Sequence, residues 1–132
     1  MIWDRVAPLY DLAVNALNRR VYDGTGGAVA RLIHPGDTVL ECACGPGAIS
    51  AAIAPACARV VATDYSEGML KQARKKLAKH SNVTVEQADI TDLRYEDDSF
   101  DAVVAGNVIH LLPEPGDALK ELKRVVRPGG TI

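Results

Sequence analysis

Three things are scarce in this 132-residue sequence. The first is a long apolar run. No stretch approaches the ~20 residues that a membrane-crossing helix needs, and the N-terminal MIWDRVAPLYD carries Asp4 and Asp11 instead of a signal-type apolar block. The second is charge of one sign. Fifteen Lys and Arg against 17 Asp and Glu leave a net charge of −2, so no basic field points to nucleic acid. The third is cysteine. Cys42, Cys44 and Cys57 make no paired framework, which fits a reducing compartment. The expectation is a cytoplasmic protein with no membrane span and no nucleic-acid partner. The Gly-Lys-Ser/Thr of a phosphate loop is also missing. Cys42-Ala43-Cys44 does not have the spacing of a structural zinc site, and His34, His80 and His110 are scattered. We read the pair as small residues around a tight turn, with no metal.

What is present is an ordinary globular balance, 48% apolar and 24% charged, in a chain long enough for one domain and one core. Val6, Leu9, Tyr10, Ala13, Val14 and Leu17 recur at helical spacing, and a second helix begins near Thr25. His34-Pro35-Gly36-Asp37 stops it. From there strands and helices alternate. Strands are expected at Thr38–Cys42, Arg59–Thr63, Val83–Gln87 and Phe100–Ala105, and helices at Gly47–Ala54, Glu67–Lys79 and Ala118–Val126. Ser66 is a cap for the second of these helices, which puts Met69, Leu70, Ala73 and Leu77 on one face. Its Lys71, Arg74, Lys75 and Lys79 read as a solvated face. The last helix points Leu119, Leu122 and Val126 inward, Arg127-Pro128-Gly129-Gly130 ends it, and Thr131-Ile132 starts a fifth strand.

Such alternation implies right-handed crossovers and a parallel sheet covered on both faces. Sheets of this kind bind ligands beyond the carboxyl ends of their strands. The residues just past those ends are Glu41 to Gly47, Asp64, Asp89-Ile90 and Gly106-Asn107, a rim of acids, glycines and an amide. The dinucleotide fingerprint G-x-G-x-x-G/A is incomplete, because Ser50 occupies its third position. A ligand with an amino-acid end and a nucleoside end suits the rim better. Gly45 and Gly47 let it lie against the backbone. Glu41 is placed to pair with an ammonium, directly or through water. Asp64, 17 residues after Gly47, is placed for ribose hydroxyls, near the ~20 of nucleotide folds. Asp89 is placed for an exocyclic adenine amine, and Ile90 or Met69 for the adenine face. Tyr65 and Ala88 flank the two acids and complete the set. Each acid also has a plainer reading: Asp64 and Ser66 as helix caps, Asp89 as a turn former, Asp97-Asp98 as a solvated turn.

VLECACGPG (39–47), VVATDYSEGML (60–70), QADITDL (87–93), FDAVVAGNVIHLL (100–112) and LKRVVRPGGTI (122–132) together resemble the class I S-adenosylmethionine-dependent methyltransferases. The opening WDRVAPLYD is similar to that of the small-molecule enzymes of the ubiquinone and menaquinone biosynthesis group. The resemblance implies an α/β fold, a Rossmann-like doubly wound sheet of parallel strands in the order 3-2-1-4. N-terminal helices (1–34) would form a lid over the cofactor rim of a core (35–132), the two making a single domain. It implies S-adenosylmethionine as cofactor, S-adenosylhomocysteine as product and a small-molecule acceptor. It makes Tyr10 a lid residue over the cofactor and Asn107 a polar contact near the reacting end. His110 is either a base or a structural histidine, and no catalytic base can be named.

Two departures stand out. The family's first loop glycine is Ala43 here, at a position where positive φ or close approach is wanted. The family's sheet also runs on past a fifth strand to an antiparallel finish, and this sequence reaches only the start of the fifth. The domain is therefore expected to be incomplete: either a fragment, or a chain that completes itself by dimerisation or strand exchange through the bare edge that strand 4 has if Thr131-Ile132 cannot cover it. Two functions follow: methyl transfer to a small molecule, or a non-catalytic S-adenosylmethionine-binding or interaction module without the substrate half. A nicotinamide oxidoreductase remains as a third, through shared topology alone.

Overall fold

The computed structural model describes residues 26–106 and 115–131. Tyr10, Asn107, His110 and most of the 1–34 lid lie outside them. Residues 26–30 are helical and lead to the turn before the sheet. The elements that follow are β1 (Thr38–Glu41), α1 (Ala48–Ile53) with a 3₁₀ turn (Ala54–Ala56), β2 (Arg59–Asp64), α2 (Glu67–Leu77), β3 (Val83–Gln87), β4 (Phe100–Val104), α3 (Pro115–Val125) and β5 (Val126–Thr131).

The five strands form one sheet in the order β3-β2-β1-β4-β5, and every pairing is parallel. Strand alternation sends successive side chains to opposite faces, so two apolar layers form. On one face Val39, Val60, Ala62 and Ala102 meet Ile49 and Ile53 of α1 and Leu70, Ala73 and Leu77 of α2. On the other, Leu40, Val61 and Val103 meet Leu122 and Val125 of α3 with Leu93 and Phe100. Burying side chains as fully as Leu40, Ile53, Leu70 and Leu122 contributes about 1.5–3 kcal/mol each. Tyr95 closes the second layer edge-on against Phe100, ring centroids 5.2 Å apart.

The helices form where the pattern asks for them. In α2 the Ser66 side chain accepts from the Met69 N–H, Met69, Leu70, Ala73 and Leu77 are buried, and Arg74 pairs with Glu67 in solvent. In α3 the inward stripe is Ala118, Leu122 and Val125, while Leu119 is 43% exposed. Of the three residues expected inward, Leu122 and Val126 are buried, Val126 as the first residue of β5, and Leu119 alone is exposed.

The end of the chain brings the main correction. Thr131 does not open the fifth strand; it closes it. β5 begins at Val126 and pairs with β4 through Phe100↔Val126 and Ala102↔Thr131, with a register shift between them. Strand 4 therefore lies between β1 and β5, and the bare strand-4 edge proposed for self-association is absent. Proline and glycine fall where the register between β4 and β5 shifts, so no regular ladder hydrogen bond is lost to them. Gly130 is required by close approach, since a Cβ there would lie 2.6 Å from the Asp101 carbonyl oxygen. Asp101 ties three strands together, accepting from the Thr38 N–H at 2.8 Å and from Arg127 Nε at 2.7 Å. Among the described residues no helix is long and apolar enough to cross a membrane.

Candidate functional site

The carboxyl ends of β1, β2, β3 and β4 share one rim, and the link from β1 to α1 crosses it. That link, Cys42 to Gly47, alternates in hand: Ala43, Gly45 and Gly47 have φ of 54°, 55° and 98°. The segment is pinned from both sides. The Cys42 N–H donates to the Val104 carbonyl at 2.8 Å, and the Cys44 N–H to the Thr63 carbonyl at 2.9 Å. Gly47 has a double reason to be glycine, because a Cβ would meet Leu77 Cδ1 at 2.9 Å in addition to the backbone strain. Ala43 adopts the left-handed conformation that its position demands and carries its cost as a non-glycine residue. Cys42 and Cys44 are buried small residues of this turn. Burial pushes the Cys42 thiol up to about 12 and raises Cys44 as well, so both stay protonated.

Glu41 ends β1 beneath this loop, and only 2% of it is exposed. Its Oε1 accepts from Ser50 Oγ at 2.5 Å, and the Ser50 backbone N–H in the first turn of α1 also faces it. Thr63 Oγ1 donates to the Glu41 carbonyl at 2.9 Å. Removal from water raises the Glu41 carboxyl to about 8, with the negative charge of Asp64 adding to the rise and the Ser50 bonds opposing it. Glu41 is therefore protonated near neutral pH and supports the loop from below.

Asp64 ends β2 on the open side. Oδ2 accepts from the Gly45 N–H and Oδ1 from the Ser66 N–H, both at 2.9 Å. The carboxylate thus ties the glycine loop to the start of α2, and each oxygen retains acceptor capacity. Asp64 thus fixes local backbone, as its plainer reading expects, and still presents acceptors at the rim. Asp89 follows β3. Its Oδ1 accepts from the Thr91 N–H at 2.9 Å and from Thr91 Oγ1 at 2.7 Å, and its carbonyl from the Asp92 N–H at 3.0 Å, closing a tight turn.

Tyr65, Ala88 and Asp89 line a groove of about 440 Å³ with Glu86, Gln87, Asp92, Arg94 and Tyr95. Tyr65 is 57% exposed there, and Gln87 Nε2 donates to its carbonyl at 3.0 Å. Glu41, Ala43, Gly45, Gly47, Asp64, Tyr65, Ala88 and Asp89 are gathered around the rim. Ile90 packs against the α3-side core, and Met69 is buried at 4% exposure within α2.

Ser50 and Thr63 hold Glu41, and Gln87 holds Tyr65; none of the three is among the residues expected from the sequence. The available signal was Ser50 itself. The residue that breaks the dinucleotide fingerprint is the one that satisfies a buried carboxyl. Among the described residues no group of His, Cys, Asp and Glu could hold a metal ion.

Residues 40–132 match the model of a family described as "Methyltransferase domain". The chain is 46% identical over 107 residues to a demethylmenaquinone methyltransferase of Clavibacter sepedonicus, covering 80% of this chain and 44% of that protein. It is 36% identical over 138 residues to a demethylmenaquinone methyltransferase of Renibacterium salmoninarum, covering 99% of this chain and 55% of the relative. Its fold superimposes on the crystal structure of a SAM-dependent methyltransferase from Aquifex aeolicus with a TM-score of 0.69, at 28% identity over 76% of this chain and 57% of that one. The chain thus spans about half the length of the curated relatives it matches. Its sheet order and these matches agree, and the chain belongs to the methyltransferase-domain family.

Proposed function

We propose that this chain binds S-adenosylmethionine on the rim and takes part in methyl transfer to a small-molecule acceptor of the demethylmenaquinone type. The observation that carries the reading is Asp64. It braces the glycine loop through the Gly45 N–H while keeping acceptor capacity on both oxygens. Acceptors so fixed suit a pair of ribose hydroxyls, since both partners are held before the ligand arrives.

The other assignments follow the rim outward. Gly45 and Gly47, with Ala43, give a backbone against which the amino-acid end of the cofactor lies. Glu41 acts beneath that loop, and a neutral carboxyl there becomes a carboxylate when an ammonium arrives nearby. Asp89 accepts from the adenine amine, with Ala88, Ile90 and Tyr65 around it and Met69 behind. Tyr10 covers the cofactor, and Asn107 contacts the reacting end. When bound, S-adenosylmethionine supplies a methyl group made electrophilic by the positive sulfur. The chain's own task is alignment and exclusion of water. The relatives named as demethylmenaquinone methyltransferases support a small-molecule, quinone-like acceptor.

Calorimetric titration with S-adenosylhomocysteine, with NAD as control, tests the reading. Saturable binding of the first, lost in Asp64→Ala, is expected. Binding of NAD alone, or of neither compound, overturns it.

A further inference from the structure

The connection from β3 to β4 contains no helix. Residues 88–99 cross the α3-side face of the sheet as turns and irregular chain, and their backbone groups need partners from elsewhere. α3 supplies them through two side chains one turn apart. Glu121 Oε2 accepts from the Leu93 N–H at 2.7 Å, and Arg124 Nη2 donates to the Leu93 carbonyl at 2.7 Å. Both polar groups of one buried residue are thus held by a single helix.

Arg124 reaches further along the same segment. Nη1 donates to the Tyr95 carbonyl at 2.7 Å and to Asp97 Oδ1 at 2.9 Å. Nε and Nη2 donate to the two Glu121 oxygens at 2.9 and 3.0 Å. Every N–H of the guanidinium has an acceptor, a fork that lysine cannot reproduce. The Arg124 carbonyl accepts from the Asp98 N–H at 3.0 Å. One residue therefore contacts positions 93, 95, 97 and 98.

This segment begins where the rim ends. Asp92 pairs with Asp89 across the tight turn, and Leu93 follows at once. Tyr95, held by its carbonyl, donates its hydroxyl to Glu86 Oε2 at 2.7 Å on the wall of the groove. We propose that Arg124, with Glu121, is a positioning residue for the cofactor site: it fixes the Leu93–Asp98 segment and so aims Asp89 and the groove wall at the nucleoside end of the ligand. The proposal rests on the reading of the rim as an S-adenosylmethionine site. It makes α3, whose Glu121 and Arg124 do not line the groove, a determinant of cofactor affinity.

A double-mutant cycle on S-adenosylhomocysteine affinity tests it, with Arg124→Met and Asp89→Asn measured by calorimetry well below each variant's melting temperature. Arg124→Met is expected to weaken binding at least tenfold, and to weaken it little further once Asp89 is already asparagine. A purely architectural role predicts unchanged affinity of the folded protein, or losses that multiply independently; either result overturns the proposal. Arg124→Lys keeps charge and stem without the fork, and serves the same comparison where Arg124→Met does not fold. If the wild-type chain binds no S-adenosylhomocysteine, the reading of the rim fails and takes this proposal with it. If the wild type binds and the Arg124 variants bind equally well, only the positioning role fails.

Discussion

Replacing Glu41 by glutamine probes the centre of the rim. Glutamine keeps the shape and an acceptor for Ser50 Oγ but cannot ionise. In the folded chain the Glu41 carboxyl holds its proton up to about 8, against 4.5 for an ordinary glutamate. Between those values the folded state carries a proton that the unfolded chain has released. Stability therefore falls as pH rises through this window, the opposite of the usual carboxylate behaviour. The interval corresponds to about 5 kcal/mol at full ionisation, a large share of a small domain's stability. The assay is urea unfolding of wild type and Glu41→Gln from pH 5 to 9. The wild type should lose several kcal/mol relative to the variant across that range, with the difference levelling off above pH 8. Parallel curves for the two proteins would refute the argument, because they would mean that Glu41 is already ionised in the fold at pH 5. The same substitution should weaken S-adenosylhomocysteine binding, since a group that cannot become anionic cannot answer an incoming ammonium.

Three further outcomes follow from the backbone and the sheet. Ala43→Gly relieves a left-handed alanine and should stabilise the chain by about 0.5–1 kcal/mol after the entropy cost of glycine, read as a higher urea midpoint at unchanged slope. Gly47→Ala meets both a φ of 98° and Leu77, and should lower stability by about 2 kcal/mol or more, with Leu77→Ala in the same chain relieving only the steric part. The Thr38 N–H first, and then Arg127, hold the Asp101 carboxyl below its ordinary value of 3.8. Its contribution is thus present above that value and lost as pH falls below it. Asp101→Asn should cost about 1 kcal/mol at pH 7 and progressively less as pH falls below 3.8, as measured by thermal melts from pH 7 downward.

The sequence made the sheet legible because its signals are local. Val83–Gln87 was read to the residue, and the first, second and fourth strands to within one residue, since each is a short apolar run between turn residues. Gly45, Gly47 and Asp64 were legible for the same reason: each lies just past a strand. The fifth strand starts five residues earlier than the sequence suggests, because Arg127-Pro128-Gly129-Gly130 is written in helix-stop residues, and only its partner on β4 makes it a strand. Ser50 with Glu41, and Arg124 with Leu93, are pairs 9 and 31 residues apart, and no periodicity announces them. A buried hydroxyl and a fully engaged guanidinium become visible only when the crossovers have brought them to their partners.

The central claim, that the loop from Cys42 to Gly47 with Asp64 and Asp89 forms the cofactor site, is tested most directly by backbone amide NMR during titration with S-adenosylhomocysteine. The account predicts saturable shifts at Ala43, Gly45, Gly47, Tyr65 and Ala88 to Thr91, with His80 and Asn82 at the opposite end of the sheet unmoved. Shifts concentrated at that opposite end, or no saturable shift anywhere, would contradict it.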